Sequence, residues 1–152
     1  MAGTGAVRDT EVEIKGINQL LRALNKIDKD LQNKVRDASG KIASDLVAGA
    51  KSAAHTRQQA LAAQALKVKR DRVPVVRVGK TMLRPGLKGT DIFYGAEFGG
   101  GRRPTTQQFP EHRGRRGYFL YPTARARGKR YADLWADAVD DAFEAWNYKA
   151  PH

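Results

Sequence analysis

Glu97 is the residue in this chain whose neighbours first suggest chemistry. It stands in "FYGAEFG", residues 93–99, a single carboxylate among aromatic rings. A carboxyl desolvated by such neighbours can hold its proton near neutrality and act as a general acid or base. That work needs a second group. Asp91 and Glu111 are out of register with it, and His55, His112 and His152 are scattered along the chain. The expectation is therefore a structural carboxylate, paired with an arginine or accepting backbone N–H groups.

The other chemical candidates thin out in the same way. "GGGRR" at Gly99–Arg103 invites comparison with a phosphate loop. A P-loop, however, needs Gly-Lys-Ser/Thr at the start of a helix, and here Pro104 and further loop residues follow. The glycines suit an exposed, adaptable connection instead. Ser39, Ser44 and Ser52 all fall in one helical pattern with no histidine partner, which speaks against triad chemistry. No run has metal-ligand spacing. The chain has no cysteine, which excludes disulfides, thiol catalysis and cysteine-rich zinc sites. Neither an enzyme nor a cofactor is expected.

What remains is charge. The net charge is +12 and the pI about 10.2, a field that attracts DNA, RNA, an acidic membrane or an acidic protein face. It is unevenly spread. Between Lys67 and Arg130 lie 17 Lys/Arg against 4 Asp/Glu, whereas Tyr131 to Tyr148 holds 5 Asp/Glu and no Lys/Arg. Opposite patches on one molecule allow head-to-tail contact between copies, which closes into a ring when the rotation permits. Within the basic part, Arg102, Arg103, Arg113, Arg115, Arg116, Arg125, Arg127 and Arg130 could grip a DNA backbone, which takes charge and reach and no base-reading helix. The competing reading is a solvated basic face, or one docked on an acidic partner. Tyr118 and Tyr121 are nearby, but they alternate with Phe119 in an expected strand, so a stacking platform is not expected.

These residues have to be held by something. A chain of 152 residues is one domain by length. Residues 1–9 read as a mobile arm and residues 10–149 as a single domain, with a basic loop at about 100–117. "TEVEIKG" alternates as a short strand. From Ile17 to Ala53 apolar residues recur at steps of three and four, the mark of a helix with one buried stripe. Unbroken it would run about 55 Å, against a radius of gyration of about 15 Å for a compact domain of this size. A mild bend, with Gly40 or Gly49 as its site, or projection onto a neighbour is expected. "HTRQQALAAQALKV" extends this region or forms a second short helix. Leu66–Lys69 and Val75–Val78 read as two strands, "KTMLRPGLKGT" as a loop, and "DIFYGAEFG" and "GYFLYPT" as two more strands. Tyr131, Leu134, Trp135, Ala138, Val139, Ala142, Phe143 and Trp146 make the apolar stripe of a terminal helix whose opposite face is acidic. The class is α+β: a long N-terminal helix and a C-terminal helix packed on one face of a small, mainly antiparallel sheet. The apolar runs are far short of a membrane span, and the N-terminus lacks the apolar core of a secretory signal.

Elements in this order resemble the tail-component family of long-tailed bacteriophages, the tail-completion or head–tail connector proteins. The resemblance opens at "EIKGINQLLRALNKIDKDLQNKVRDAS", passes through "VVRVG", is most specific at "FYGAEFGG", and ends at "YFLYPTARA" leading into the last helix. It covers about Glu11 to Trp146. Gly100 stands where the family has Thr, "YPTA" replaces Pro-Ala, and the 102–117 loop is long and rich in arginine. The resemblance implies a non-enzymatic virion protein of the phage neck, assembled in the host cytoplasm. It would form a homo-oligomeric ring, a hexamer rather than a dodecamer, between the head connector or stopper and the tail terminator or tail tube. Genomic DNA would pass through the ring, with non-specific contact in the channel and no membrane partner. Tyr94, Glu97, Phe98, Gly99, Phe119 and Pro122 would be structural, and Arg102, Arg103, Arg113, Arg115 and Arg116 would form an assembly or DNA-facing loop. The nearest rival is the tail terminator, the ring that caps the tail tube. A rival from another class is a free basic nucleic-acid-binding protein.

Overall fold

A computed structural model describes residues 17–100 and 109–149. The arm, the expected strand in "TEVEIKG", and Arg102 and Arg103 lie outside the described residues. In chain order the elements are α1 (Ile17–Leu24), α2 (Lys29–Ala53), α3 (Arg57–Ala63), β1 (Leu66–Lys69), β2 (Val75–Val78), β3 (Met82–Arg84), β4 (Leu87–Lys88), α4 (Gly89–Phe98), a 3-10 turn (Gly114–Arg116) and α5 (Leu120–Lys149). The class is α+β, with long helices towards both ends and two separate antiparallel hairpins as its sheets.

The long N-terminal pattern breaks at neither glycine. Gly40 and Gly49 both lie inside the continuous α2, and the break comes earlier, between Leu24 and Lys29. Asp28 caps α2, its carboxylate accepting from the N–H of Asp30 at 3.2 Å. The buried Gln32 then reaches back and donates to the carbonyls of Ile27 at 2.8 Å and Asn25 at 3.4 Å. Those carbonyls lie in the turn between α1 and α2. Leu24 and Ile27 are buried on either side of the turn, so the apolar stripe stays in phase although the helix does not continue. Gly40 faces open space, with nothing within 4 Å of an added Cβ. Gly40→Ala is expected to raise the unfolding free energy by about 0.5–1 kcal/mol, since Gly in a helix interior costs that much relative to Ala. Urea denaturation measures this directly, and a loss of stability would mean that the open space is filled in solution.

Two stretches expected as strands are helical. "DIFYGAEF" forms α4, with Gly89, Ile92, Phe93, Ala96 and Glu97 buried, which is a spacing of three and four rather than two. Aromatic and β-branched content suggested a strand, but a short apolar run of this kind is ambiguous until its burial is known. "GYFLYPT" is also no strand. Phe119 precedes α5, and Leu120 to Thr123 form its first turn, so α5 begins well before the apolar stripe at Tyr131. Strands β1 and β2 pair antiparallel from Leu66 opposite Val78 to Lys69 opposite Val75, at the expected bounds. "KTMLRPGLKGT", expected as a loop, holds the small hairpin β3–β4, turned at Gly86 with φ 78.

The helices pack chiefly on one another: α2 and α5 make the main contact of the fold. One core cluster sits at the far end of α2, where Val47, Ala50, Leu66, Ile92, Phe93, Ala96 and Phe119 meet. The other lies between α1, α2 and the second half of α5, around Leu24, Leu31, Val35, Ile42, Trp135 and Val139. The β1–β2 turn is pinned between these helices. The Arg72 carbonyl accepts from Ser39 Oγ at 2.9 Å and Trp135 Nε1 at 2.7 Å, while the Arg72 guanidinium donates to Leu21 O at 3.3 Å and Asn25 Oδ1 at 2.7 Å.

Candidate functional site

Glu97 is fully buried, and its partners come from the first two residues of α5 and the residue before them. Oε2 accepts from the N–H groups of Phe119 at 3.2 Å and Leu120 at 3.0 Å, and Oε1 from that of Tyr121 at 2.9 Å. A helix begins with four N–H groups that have no internal acceptor. Here those belong to Phe119, Leu120, Tyr121 and residue 122. The first three are taken by one carboxylate, and the fourth does not exist, because residue 122 is proline. The positive end of the helix dipole also faces the negative group. "YGAEFG" and "YFLYP" are thus two halves of one capping device.

The device leaves room for nothing else. Gly117, with φ 69, precedes α5, and a Cβ there would lie 2.1 Å from Glu97 Oε1. Gly99 ends α4 with φ 91, and a Cβ on it would lie 2.1 Å from the carbonyl oxygen of Glu111. Both positions require glycine for φ and for closeness. Gly100 N donates to Pro110 O at 2.9 Å, and Arg113 N donates to Phe98 O at 2.8 Å. The base of the basic loop is therefore tied on both strands to the end of α4. Tyr118 adds a bond from its hydroxyl to Glu111 O at 2.6 Å.

Three of the five loop arginines can be placed. Arg113 stacks its guanidinium over the Tyr118 ring, 4.0 Å from the centroid. Arg115 and Arg116 are exposed on the 3-10 turn, and Arg125 joins them from α5, donating to the carbonyls of Arg115 at 3.5 Å and of Arg116. Among the described residues no carboxylate lies within 4.0 Å of any of these four. Other cations in the basic stretch are engaged: Arg70 with Asp37 at 2.9 Å, Arg127 with Asp45 at 2.9 Å, and Lys69 and Arg72 with Asp71. Beside the turn runs an aromatic row. Tyr94, 62% exposed, stacks on Phe98 at 6.2 Å, and Phe98 meets Tyr121 at 5.3 Å. Tyr121 projects from the first turn of a helix and is exposed, unlike the expected strand position. Phe119 is buried edge-on against Phe93 at 5.8 Å.

Two of the other chemical candidates have structural partners. Asp91 accepts from Lys88 N at 2.8 Å, at the start of its own helix. Ser39 Oγ is used on Arg72 O. Among the described residues no group of three or more His, Asp or Glu could hold a metal ion, and no helix is long and apolar enough to cross a membrane. A polar cluster joins α2 to α5: Tyr131 and Arg127, the latter one of the arginines considered for a DNA backbone, both donate to the Asp45 carboxylate. The Tyr131 hydroxyl, aided by the Arg127 guanidinium, holds Asp45 below the usual carboxylate range, and burial raises Tyr131. Arg127 and Tyr131 stand four apart on one helix face, but only folding supplies Asp45. The chain matches no protein-family model, no curated protein and no solved structure.

Proposed function

We propose that this chain is a structural, non-enzymatic protein of a bacteriophage neck. Copies form a ring that joins the head connector to the tail tube and lets the genome pass. The sequence resemblance supplies the location. The observation that carries the role is the arginine turn: Arg113, Arg115, Arg116 and Arg125 are gathered at the head of α5, exposed, and without carboxylate partners among the described residues. Cations so close together repel one another unless an anion is brought to them. The rigid base under the turn, tied by Glu97 and the Phe98 carbonyl, fits a surface that must be presented in one geometry. DNA phosphates in the channel, or an acidic face of a neighbouring neck protein, provide the anion.

Each exposed pair is worth only about 0–1 kcal/mol, so the arginines act as a group. Replacing Arg102, Arg103, Arg113, Arg115 and Arg116 together with Gln is expected to leave the melting temperature of the isolated chain within a few degrees of the parent. Phage carrying the variant should accumulate unjoined heads and tails, or lose DNA from joined particles, as counted by electron microscopy. Fully infectious particles with the five-fold variant would sink the proposal.

A further inference from the structure

The outward face of α5 has a charge order of its own. Phe119, Thr123, Arg127, Tyr131, Trp135 and Val139 follow at steps of four and turn towards the rest of the fold, fully or partly buried. The row displaced by two residues faces the opposite way, and between Tyr121 and Asp141 its central four residues read Arg125, Lys129, Asp133, Asp137. All four are exposed. None has an oppositely charged partner within 4.0 Å among the described residues. Lys129 and Asp133 are four apart but stand in the less favourable order, with the base nearer the N-terminus. The main contacts of α5 among the described residues run to α2 and to the 3-10 turn before it, on the sides away from this row.

Two bases followed by two acids at equal steps are self-complementary under a two-fold rotation. We infer that this ridge pairs with the same ridge of a second copy, the two α5 helices crossing in opposite directions. Lys129 then meets Asp133 of the second copy, and Arg125 meets Asp137 of the second copy, each contact occurring twice. Rows of i±4 residues are the surface features through which helices most often pack, so the ridge has the geometry for it. The contact is isologous and stops at two chains, whereas a ring needs a head-to-tail contact. It is therefore a second kind of interface, distinct from the ring contact although it shares Arg125 with the arginine turn, and free subunits are held as pairs through it. Exposed ion pairs dominate it, so it is weak and sensitive to salt.

Sedimentation of the purified chain tests it. The parent is expected to show a monomer–dimer equilibrium that shifts to monomer as NaCl is raised from about one-tenth to one-half molar, where the screening length falls about twofold. R125D/K129D and D133K/D137K should each weaken the dimer about tenfold or more, by setting like charges opposite each other. Mixed in equal amounts, the two should form a heterodimer. The four-fold variant R125D/K129D/D133K/D137K restores self-complementarity and should dimerise like the parent. That last result separates the two-fold contact from docking of the acidic half on the arginine turn, which the four-fold variant would abolish. A monomeric parent at low salt, or a four-fold variant that stays monomeric, overturns the inference; a virion lacking the chain would leave it standing and remove the neck proposal instead.

Discussion

Glu97→Ala is expected to cost about 3–5 kcal/mol of unfolding free energy, the largest loss of any polar substitution in the chain. The variant removes one side chain and strands three donors, those of Phe119, Leu120 and Tyr121. A buried donor left unpaired costs about 1–3 kcal/mol, and water entering from the Tyr121 side returns part of that. Loss of the opposed charge at the helix N-terminus adds about 0.3–1 kcal/mol. Glu97→Gln keeps an acceptor oxygen but turns an amide NH2 towards backbone donors, in a space where Gly117 already sits against the carboxylate. It should stay folded and lose about 1–3 kcal/mol. Thr56→Ala, which removes the cap of α3, is the control, at about 1 kcal/mol. Urea denaturation of the three gives the comparison. A Glu97→Ala loss no greater than that of Thr56→Ala would mean that the carboxylate is not what holds the head of α5.

Trp135→Ala should be comparably damaging, at about 3–5 kcal/mol for the loss of a buried aromatic. The indole is 4% exposed in the cluster with Leu31, Val35 and Val139, and its N–H holds the Arg72 carbonyl. Trp135→Phe separates the two contributions. It keeps most of the apolar volume and gives up the hydrogen bond, worth about 0.5–1.5 kcal/mol, while Ser39 still satisfies Arg72. Amide exchange should show the β1–β2 turn loosening in both variants, because that turn hangs on the same carbonyl. A Trp135→Ala loss below about 1 kcal/mol is incompatible with a ring buried in the monomer.

The amino-acid order alone determined several things. Apolar spacing is a local property, so the stripes within α2 and α5 could be read, and the β1–β2 pair at its observed bounds, but not the start of α5 at Leu120 or the break before α2. Charge is additive along the chain, so the basic middle and acidic end were legible too. The partner of Glu97 was not. Its donors lie 22 to 24 residues away, across a loop, and no periodicity records which backbone N–H groups a carboxylate will meet. The same holds for Arg72 and for Asp45, whose partners are 63 and 86 residues distant in Trp135 and Tyr131. Tertiary structure also decided between strand and helix at Ile92–Phe98. Aromatic content favours a strand locally, but a helix there buries Phe93 and Ala96 on one side and aims Glu97 at the start of α5. It likewise moved the helix break to Asp28, where Gln32 could satisfy the carbonyls that the turn exposed. In each case a buried polar group had to be satisfied by whatever folding brought near, and that choice is made in space and not along the chain.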